Sequence, residues 1–320
     1  MGLELLLKHK GKLLVGILIG ALFLLYAIKD INWELTKTDF SKLSVIDALE
    51  IAFAIFLFFV VKCIRWKIIL KPVRDIPTLK LFSPMMAGVF LNVVLSIFVG
   101  EIARSFLVGH RFKVSKSAIF ASVLVERIVD VAILLFLLAM VLAFSQFDIP
   151  NVNIGLYFTL TALVAIILVS LVIWKEPTIE WLYNKQQHLK DRWIMRIESG
   201  IEGLRSITNP KLLFVIVLIS IVQWLIMAWA NYKSITAIGI EVPFSAGILI
   251  MVVIAFALIM PQSPGHIGVI EFGYVFSLSA YGVHASDALA AAIIYHVIYL
   301  LTMGITSIPA LRLLSEKNHA

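Results

Sequence analysis

Apolar residues in this chain gather into runs of about 20, separated by short stretches that carry most of the charge. The regular runs lie near 12–28, 46–66, 117–145, 154–174, 211–232 and 285–311. At a helical rise of 1.5 Å per residue, such a run crosses a hydrocarbon core of about 30 Å. The pattern therefore predicts an all-α polytopic membrane protein. Two further apolar regions, near 84–108 and 245–281, are interrupted. The first breaks near Ser96–Gly100, next to the ionisable Glu101. The second breaks at Pro261-Gln262-Ser263-Pro264-Gly265-His266, with Gly268 and Glu271 following.

Loop charge predicts how the runs are threaded. Lysine and arginine accumulate on the cytoplasmic side, which places Lys8, Lys10 and Lys12 and the Lys62–Lys80 stretch inside. Arg104, Arg111, Lys113 and Lys116 also belong inside, so region 84–108 is expected to enter and return on the cytoplasmic face. The 146–153 loop has Asp148 and no Lys or Arg, and is placed outside. Segment 175–211 is basic and carries Ile194, Ile197, Ile201 and Leu204 at helical spacing, as a cytoplasmic amphipathic helix would. Arg312 and Lys317 place the C-terminus in the cytoplasm, which requires region 245–281 to enter and return from outside.

The expected fold is then an inverted-topology repeat of two halves, 1–148 and 149–320, within a single transmembrane domain. Each half has three spans and a re-entrant broken-helix hairpin. Discontinuous helices at matching positions in two inverted halves point to a transporter's binding site near the midplane. Two ordinary kinked helices are the alternative.

Composition strengthens the membrane reading and narrows the rest. Of 320 residues, 61% are hydrophobic and 15% charged, against about 45–50% and about 25% in soluble domains. The net charge of +7 follows from the basic loops rather than from a nucleic-acid surface. One cysteine, Cys63, gives neither a disulfide framework nor a cysteine metal site. The first run lacks a small-x-small cleavage site and is read as a retained span.

Charge inside a membrane helix costs about 2.5–3.5 kcal/mol on insertion scales, so each such residue needs a reason. Glu126, Arg127 and Asp130 lie within the 117–145 run, Glu126 roughly 13 Å deep at helical rise. Glu126 and Asp130 share a face, and Arg127 is spaced to pair with Asp130. The cluster is either a structural lock or the lining of a polar path. Glu101 and Arg104 are spaced to pair after the first break. Arg104 is either an interfacial positive-inside arginine or a bidentate phosphate ligand.

In the second region Pro261 and Pro264 remove backbone donors, and Gly265 admits positive φ. A half-helix starting near Ile267 would offer its N-terminus to an anion, with His266 at that end and Glu271 one turn in. His266 and His296 read either as satisfied bundle histidines or as working groups. Arg127 is a candidate partner for Glu271. Sequence signatures of metalloproteases, P-loops and dinucleotide sites are absent.

These residues resemble the signatures of a known family. Asn92, Gly100-Glu101 and Arg104, followed by Ser117-Ala118 and Glu126-Arg127-Ile128-Val129-Asp130, look like the first signature of the lysylphosphatidylglycerol synthase transmembrane family, or flippase-like domain proteins. Pro261 to Glu271 resembles the second signature, and Arg65-Trp66 the second-helix motif. The resemblance covers most of the chain. Three departures stand out. The family's Pro-Gly-Gly reads Pro264-Gly265-His266, an arginine common in the last helix is replaced by His296, and a proline before Gly-Glu is missing. The family includes the membrane half of bacterial multiple peptide resistance factors, implicated in moving aminoacylated phosphatidylglycerol between leaflets. Other members are linked to polyprenyl-phosphate-sugar steps. No aminoacyltransferase domain lies within these residues, so lipid aminoacylation is not expected.

The resemblance and the charge pattern together imply a lipid translocase, not an enzyme, of an anionic or zwitterionic phospholipid or polyprenyl-phosphate lipid. The expected substrate-binding residues are Asn92, Glu101, Arg104, Glu126, Arg127, Asp130, Gly265, His266, Glu271 and His296. Gly100, Pro261, Pro264 and Gly268 form the breaks. No cofactor, metal or nucleic acid is expected. The expected partners are the lipid, a second copy in a homodimer and a lipid-synthesising enzyme, and the expected location is a bacterial or archaeal plasma membrane. A membrane-embedded enzyme using His266 and Glu271, and a scaffold docking through 175–211, are the alternatives.

Overall fold

A computed structural model describes residues 10–29, 31, 40–95, 99–144, 203, 209–260 and 263–315. Every regular element among them is helical. They are α1 (Lys10–Ile28), α2 (Val45–Leu70), α3 (Thr78–Leu95), α4 (Val99–Phe112), α5 (Lys116–Phe144), α6 (Pro210–Thr236), α7 (Phe244–Ala257), α8 (Val269–Ser279) and α9 (Ala285–Ser315), with a single 3-10 turn at Pro264–His266. The expected runs at 12–28, 46–66, 117–145, 211–232 and 285–311 correspond to α1, α2, α5, α6 and α9. The run at 154–174 and nearly all of 175–211 lie outside the described residues, as does Pro261.

Local signals fix several helix starts. Ser44 caps α2 by accepting from the Asp47 N–H at 3.1 Å. Asn209 caps α6, its side-chain oxygen taking the N–H groups of Lys211 and Leu212, with Pro210 in the first helical position. Both interrupted regions divide into separate helices, the first ahead of Val99 so that Gly100 and Glu101 lie in the first turn of α4. Region 84–108 becomes α3 and α4. Region 245–281 becomes α7, the 3-10 turn and α8, which starts at Val269 rather than Ile267.

α2 and α6 run antiparallel through the middle of the bundle. Arg65 meets Ser220 near one end, while Glu50 meets Trp229 and Lys233 near the other. The helices around this pair form two corresponding sets, α2–α5 and α6–α9. α3 packs on α4 as α7 packs on α8. α4 packs on α5 as α8 does on α9, and α3 packs on α9 as α7 does on α5. The remaining close pairs, α2 with α3, α5 and α9, have counterparts in α6 with α7, α9 and α5. α1 lies outside both sets, against α8 and α9.

Large apolar side chains face outward all round: Leu22, Val45, Phe53, Phe144, Phe214 and Ile305 are each more than 60% exposed. In water that surface would drive association; in lipid it is the solvent-facing side. Among the described residues, α3, α5, α6 and the Ala285–Ala310 part of α9 are long and apolar enough to cross a membrane. α2 is also long, but carries Asp47, Glu50, Lys62, Arg65 and Lys67 along its length.

Helices α3 and α4 form a tight antiparallel hairpin. Gly88 faces Gly100 and Arg104, and a Cβ on Gly100 would collide with the Gly88 carbonyl and with Asn92. Asn92 accepts from the Gly100 N–H at 2.8 Å, satisfying a donor that the start of α4 leaves open. Gly100→Ala is expected to destabilise the protein by about 1–3 kcal/mol through overpacking, read as a lower melting temperature in detergent. An unchanged melting temperature would mean that the hairpin tolerates opening.

Candidate functional site

The buried charges converge on Arg65, which the sequence reading assigned only to a helix motif beside a cytoplasmic loop. Its guanidinium is fully buried in α2. It reaches Asp130 at 2.5 and 3.1 Å, Glu126 at 3.1 Å and Ser220 at 2.9 Å. Lys62, one turn earlier in α2, contacts Glu126 at 2.5 Å. Arg104 of α4 takes the other Glu126 oxygen at 2.8 Å and lies over the Trp66 ring at 4.8 Å. The Trp224 indole donates to Asp130 at 2.9 Å. Glu101 is held by Arg127 and by Asn92, the latter at 2.9 Å.

Two expected short-range pairings are therefore corrected. Arg127 does not pair with Asp130 but crosses to Glu101 of α4. Arg104 does not pair with Glu101 but crosses to Glu126 of α5. Helix packing places a stronger partner on a neighbouring element than helical spacing offers along the same one. Glu126 and Asp130 do share a face, as expected, and that face is directed at Arg65.

Lys62, Arg65, Arg104 and Arg127 thus meet Glu101, Glu126 and Asp130, four cations against three carboxylates. Among the described residues, one positive charge of the network is unmatched. The Nε atoms of Arg65 and Arg104 are buried and have no hydrogen-bond partner among the described residues. The Arg127 side chain, 48% exposed, brings the network to the surface. Lys62 and Arg65 sit at the end of an apolar run, where sequence alone does not distinguish a buried cation from a loop charge. Their three-residue spacing within that run was the available signal.

The second cluster lies where the second region breaks. Gly265 has φ of 76° and Gly268 of 85°; at Gly268 a Cβ would also strike the Gly20 carbonyl of α1. His266 itself has φ of 64°, a left-handed conformation that glycine adopts freely and other residues seldom do. That geometry accounts for a glycine in the family signature at this position. Glu271, the third residue of α8, accepts from the Gly268 N–H at 2.6 Å. Its other oxygen meets His296 Nδ1 at 2.7 Å, and His296 Nε2 meets the Gly265 carbonyl at 2.7 Å. The partner of Glu271 is thus His296; Arg127, the candidate from sequence, is engaged with Glu101. Pro264 opens the 3-10 turn, and the His266 ring stacks on Tyr299 at 6.1 Å.

The two clusters occupy matching positions. Glu101 is the third residue of α4 and Glu271 the third of α8. Arg127 is the twelfth residue of α5 and His296 the twelfth of α9. Counting the same way, Arg104 corresponds to Tyr274, Glu126 to Tyr295 and Asp130 to Tyr299. Where the first cluster is ionic, the second is phenolic. Tyr274 shares a hydrogen bond with Ser234 at 2.7 Å, and its ring lies 5.8 Å from that of Tyr295. Buried Gln223 of α6 has neither amide atom partnered among the described residues. No group of three or more metal-ligating side chains occurs among the described residues.

Residues 13–306 match the family described as "Lysylphosphatidylglycerol synthase TM region". The chain is 23% identical to a UPF0104 membrane protein of Methanothermobacter thermautotrophicus, with 95% of this chain and 96% of that protein covered. It is 22% identical to a UPF0104 membrane protein of Methanocaldococcus jannaschii, over 65% of this chain and 87% of that one. No solved structure matches.

Proposed function

The chain belongs to the lysylphosphatidylglycerol synthase TM region family, and from that premise we propose that it is a lipid translocase. It carries an anionic headgroup past the α2–α4–α5 network while the acyl chains remain in the bilayer. The observation behind this reading is the positive charge left unmatched among the described residues of this largely buried network. A buried charge without a partner is costly, and one phosphodiester anion would neutralise it. Arg104 and Arg127 meet the phosphate, since a guanidinium takes two phosphate oxygens at once. Glu101, Glu126 and Asp130 hold the cations in place between cycles.

The two matching helix sets are read as an inverted repeat within one transmembrane domain. The α3–α4 hairpin enters from the cytoplasm and α7–α8 from outside, and both termini are cytoplasmic. In such an arrangement the two halves rock against one another around a site near the midplane.

The test uses the purified protein in liposomes with a fluorescent phosphatidylglycerol, whose loss from the outer leaflet is followed by chemical quenching. The wild type is expected to exchange the anionic lipid between leaflets. Arg127→Gln, which removes the unmatched charge at its exposed end, is expected to slow exchange about tenfold, the effect of about 1.4 kcal/mol. Equal rates for the variant and the wild type would detach transport from this network. Equal rates for protein-free and protein-containing vesicles would remove the translocase reading.

A further inference from the structure

The pair formed by Glu271 and His296 has a hydrogen-bonding requirement that its counterpart, Glu101 and Arg127, lacks. The Gly265 carbonyl can only accept, so His296 Nε2 must carry a hydrogen. Nδ1 of the same ring faces a Glu271 oxygen at 2.7 Å. That contact needs a second hydrogen, on the ring nitrogen or on the carboxyl. The other Glu271 oxygen accepts from the Gly268 N–H, so the carboxyl has no alternative donor role there. Imidazole and carboxylate therefore hold one proton more than a neutral histidine beside an ionised glutamate. Both side chains are under a tenth exposed. Without that proton, the Nδ1 lone pair would face a buried carboxylate.

We propose that Glu271 and His296 form a proton-binding site, and that it carries one proton together with each lipid anion. The coupling rests on the translocase reading. The charge balance sets its direction and its ratio. Counted over the described residues, the first network bears one positive charge, and the protonated Glu271–His296 pair is neutral. With a phosphodiester in the first site and a proton on the second, the two clusters sum to zero. With both sites empty, the deprotonated pair is negative, and the clusters again sum to zero. The two half-loaded states carry a net charge, and carrying that charge across the membrane interior is disfavoured. Proton and lipid anion thus move together, in the same direction and without net charge transfer.

Around this pair, His266 and three tyrosines are the titratable neighbours that the described helices supply. His296 interacts electrostatically with Glu271 and His266. α1 contributes Gly20 against Gly268, and the Phe23 and Tyr26 rings on Phe272. α2 contributes Phe59 against Tyr299, α6 contributes Ser234 against Tyr274, and α7 contributes Ile254 against Gly273. α3 packs on α9 and the 3-10 turn, while its Asn92 is turned to Gly100 and Glu101. α9 itself adds Tyr295 and Tyr299, which stack at 6.0 Å.

Two measurements on the full chain test the proposal. In the first, liposomes with fluorescent phosphatidylglycerol are held under a gradient of about one pH unit. At a ratio of one proton per lipid, the label should accumulate about tenfold in the leaflet facing the alkaline side. Clamping the membrane potential should not change that ratio. Glu271→Gln should abolish the accumulation. Fast exchange that stays symmetric under the gradient would overturn the coupling and leave the translocase standing. In the second, NMR of labelled histidine nitrogens in lipid nanodiscs should show His296 protonated on both nitrogens, or sharing its Nδ1 hydrogen with Glu271, at neutral pH. Loss of that signal in Glu271→Gln, with an unchanged melting temperature, would tie it to the pair. A bare Nδ1 at neutral pH would overturn the proton site whatever the transport result. The shared-hydrogen signal without any lipid exchange would retain the proton site and remove the translocase.

Discussion

Arg65→Met should destabilise the protein by about 3–5 kcal/mol, the cost of leaving a buried charge without its partner. The methionine fills much of the same volume, so the loss is electrostatic rather than a cavity. Glu126 would retain Lys62 and Arg104, but the bonds left to Asp130 would be reduced to the Trp224 indole. The damage should therefore be specific to one carboxylate. Adding Asp130→Asn to Arg65→Met should recover a large part of the loss, because residues within one network couple strongly. Thermal unfolding of both variants in detergent measures it. If the single variant melts with the wild type, Arg65 is not the organiser of the network. If the double variant is no better than the single, the cost lies elsewhere than Asp130.

Arg104→Gln is expected to cost function more than fold. Glu126 keeps Lys62 at 2.5 Å and Arg65 at 3.1 Å, so the carboxylate stays paired and the bundle should melt close to the wild-type temperature. The network, however, loses one cation and the guanidinium fork beside Trp66. Truncating one partner of a buried charge-assisted pair costs about 2–5 kcal/mol. Anionic lipid exchange should therefore fall by about two orders of magnitude. Arg104→Lys should fall between the two, because an ammonium keeps the charge but cannot take two phosphate oxygens or stack in the same way. Wild-type exchange by Arg104→Gln would move the phosphate site away from α4. Equal exchange by the Gln and Lys variants would mean that guanidinium geometry, not charge, is what the site uses.

These outcomes depend on a division of labour between the halves. The first half fixes permanent charge through Arg65, Arg104 and Arg127. The second places tyrosines at the positions of Arg104, Glu126 and Asp130, and a histidine at that of Arg127. In the last helix the family commonly has an arginine where this chain has His296. A guanidinium there would be permanently charged, whereas an imidazole titrates between about pH 5 and 8. Against that resemblance, His296 exchanges a fixed charge for a removable one beside Glu271. His266 is the opposite case: it occupies a glycine position at φ of 64° and stacks its ring on Tyr299.

Much of the architecture was legible in the chain alone, because hydrophobic length and backbone interruption are local properties. The 46–66 run became α2, both interrupted regions became paired helices, Pro264 and Gly268 lie in the second interruption, and Gly100 sits at the close approach of α3 and α4. Nearly every residue singled out by buried charge belongs to one of the two clusters. The pairing within them was not legible. Helical spacing favoured Glu101 with Arg104 and Arg127 with Asp130, but each arginine is taken by the other helix. Arg65 and Lys62 read as loop charge until α2 was seen to carry them inward. Sequence spacing reports which side chains share a face of one helix. In a low-dielectric interior, the partner is decided by which carboxylate a neighbouring helix brings within about 3 Å, and only the packing of α2, α4, α5 and α9 fixes that.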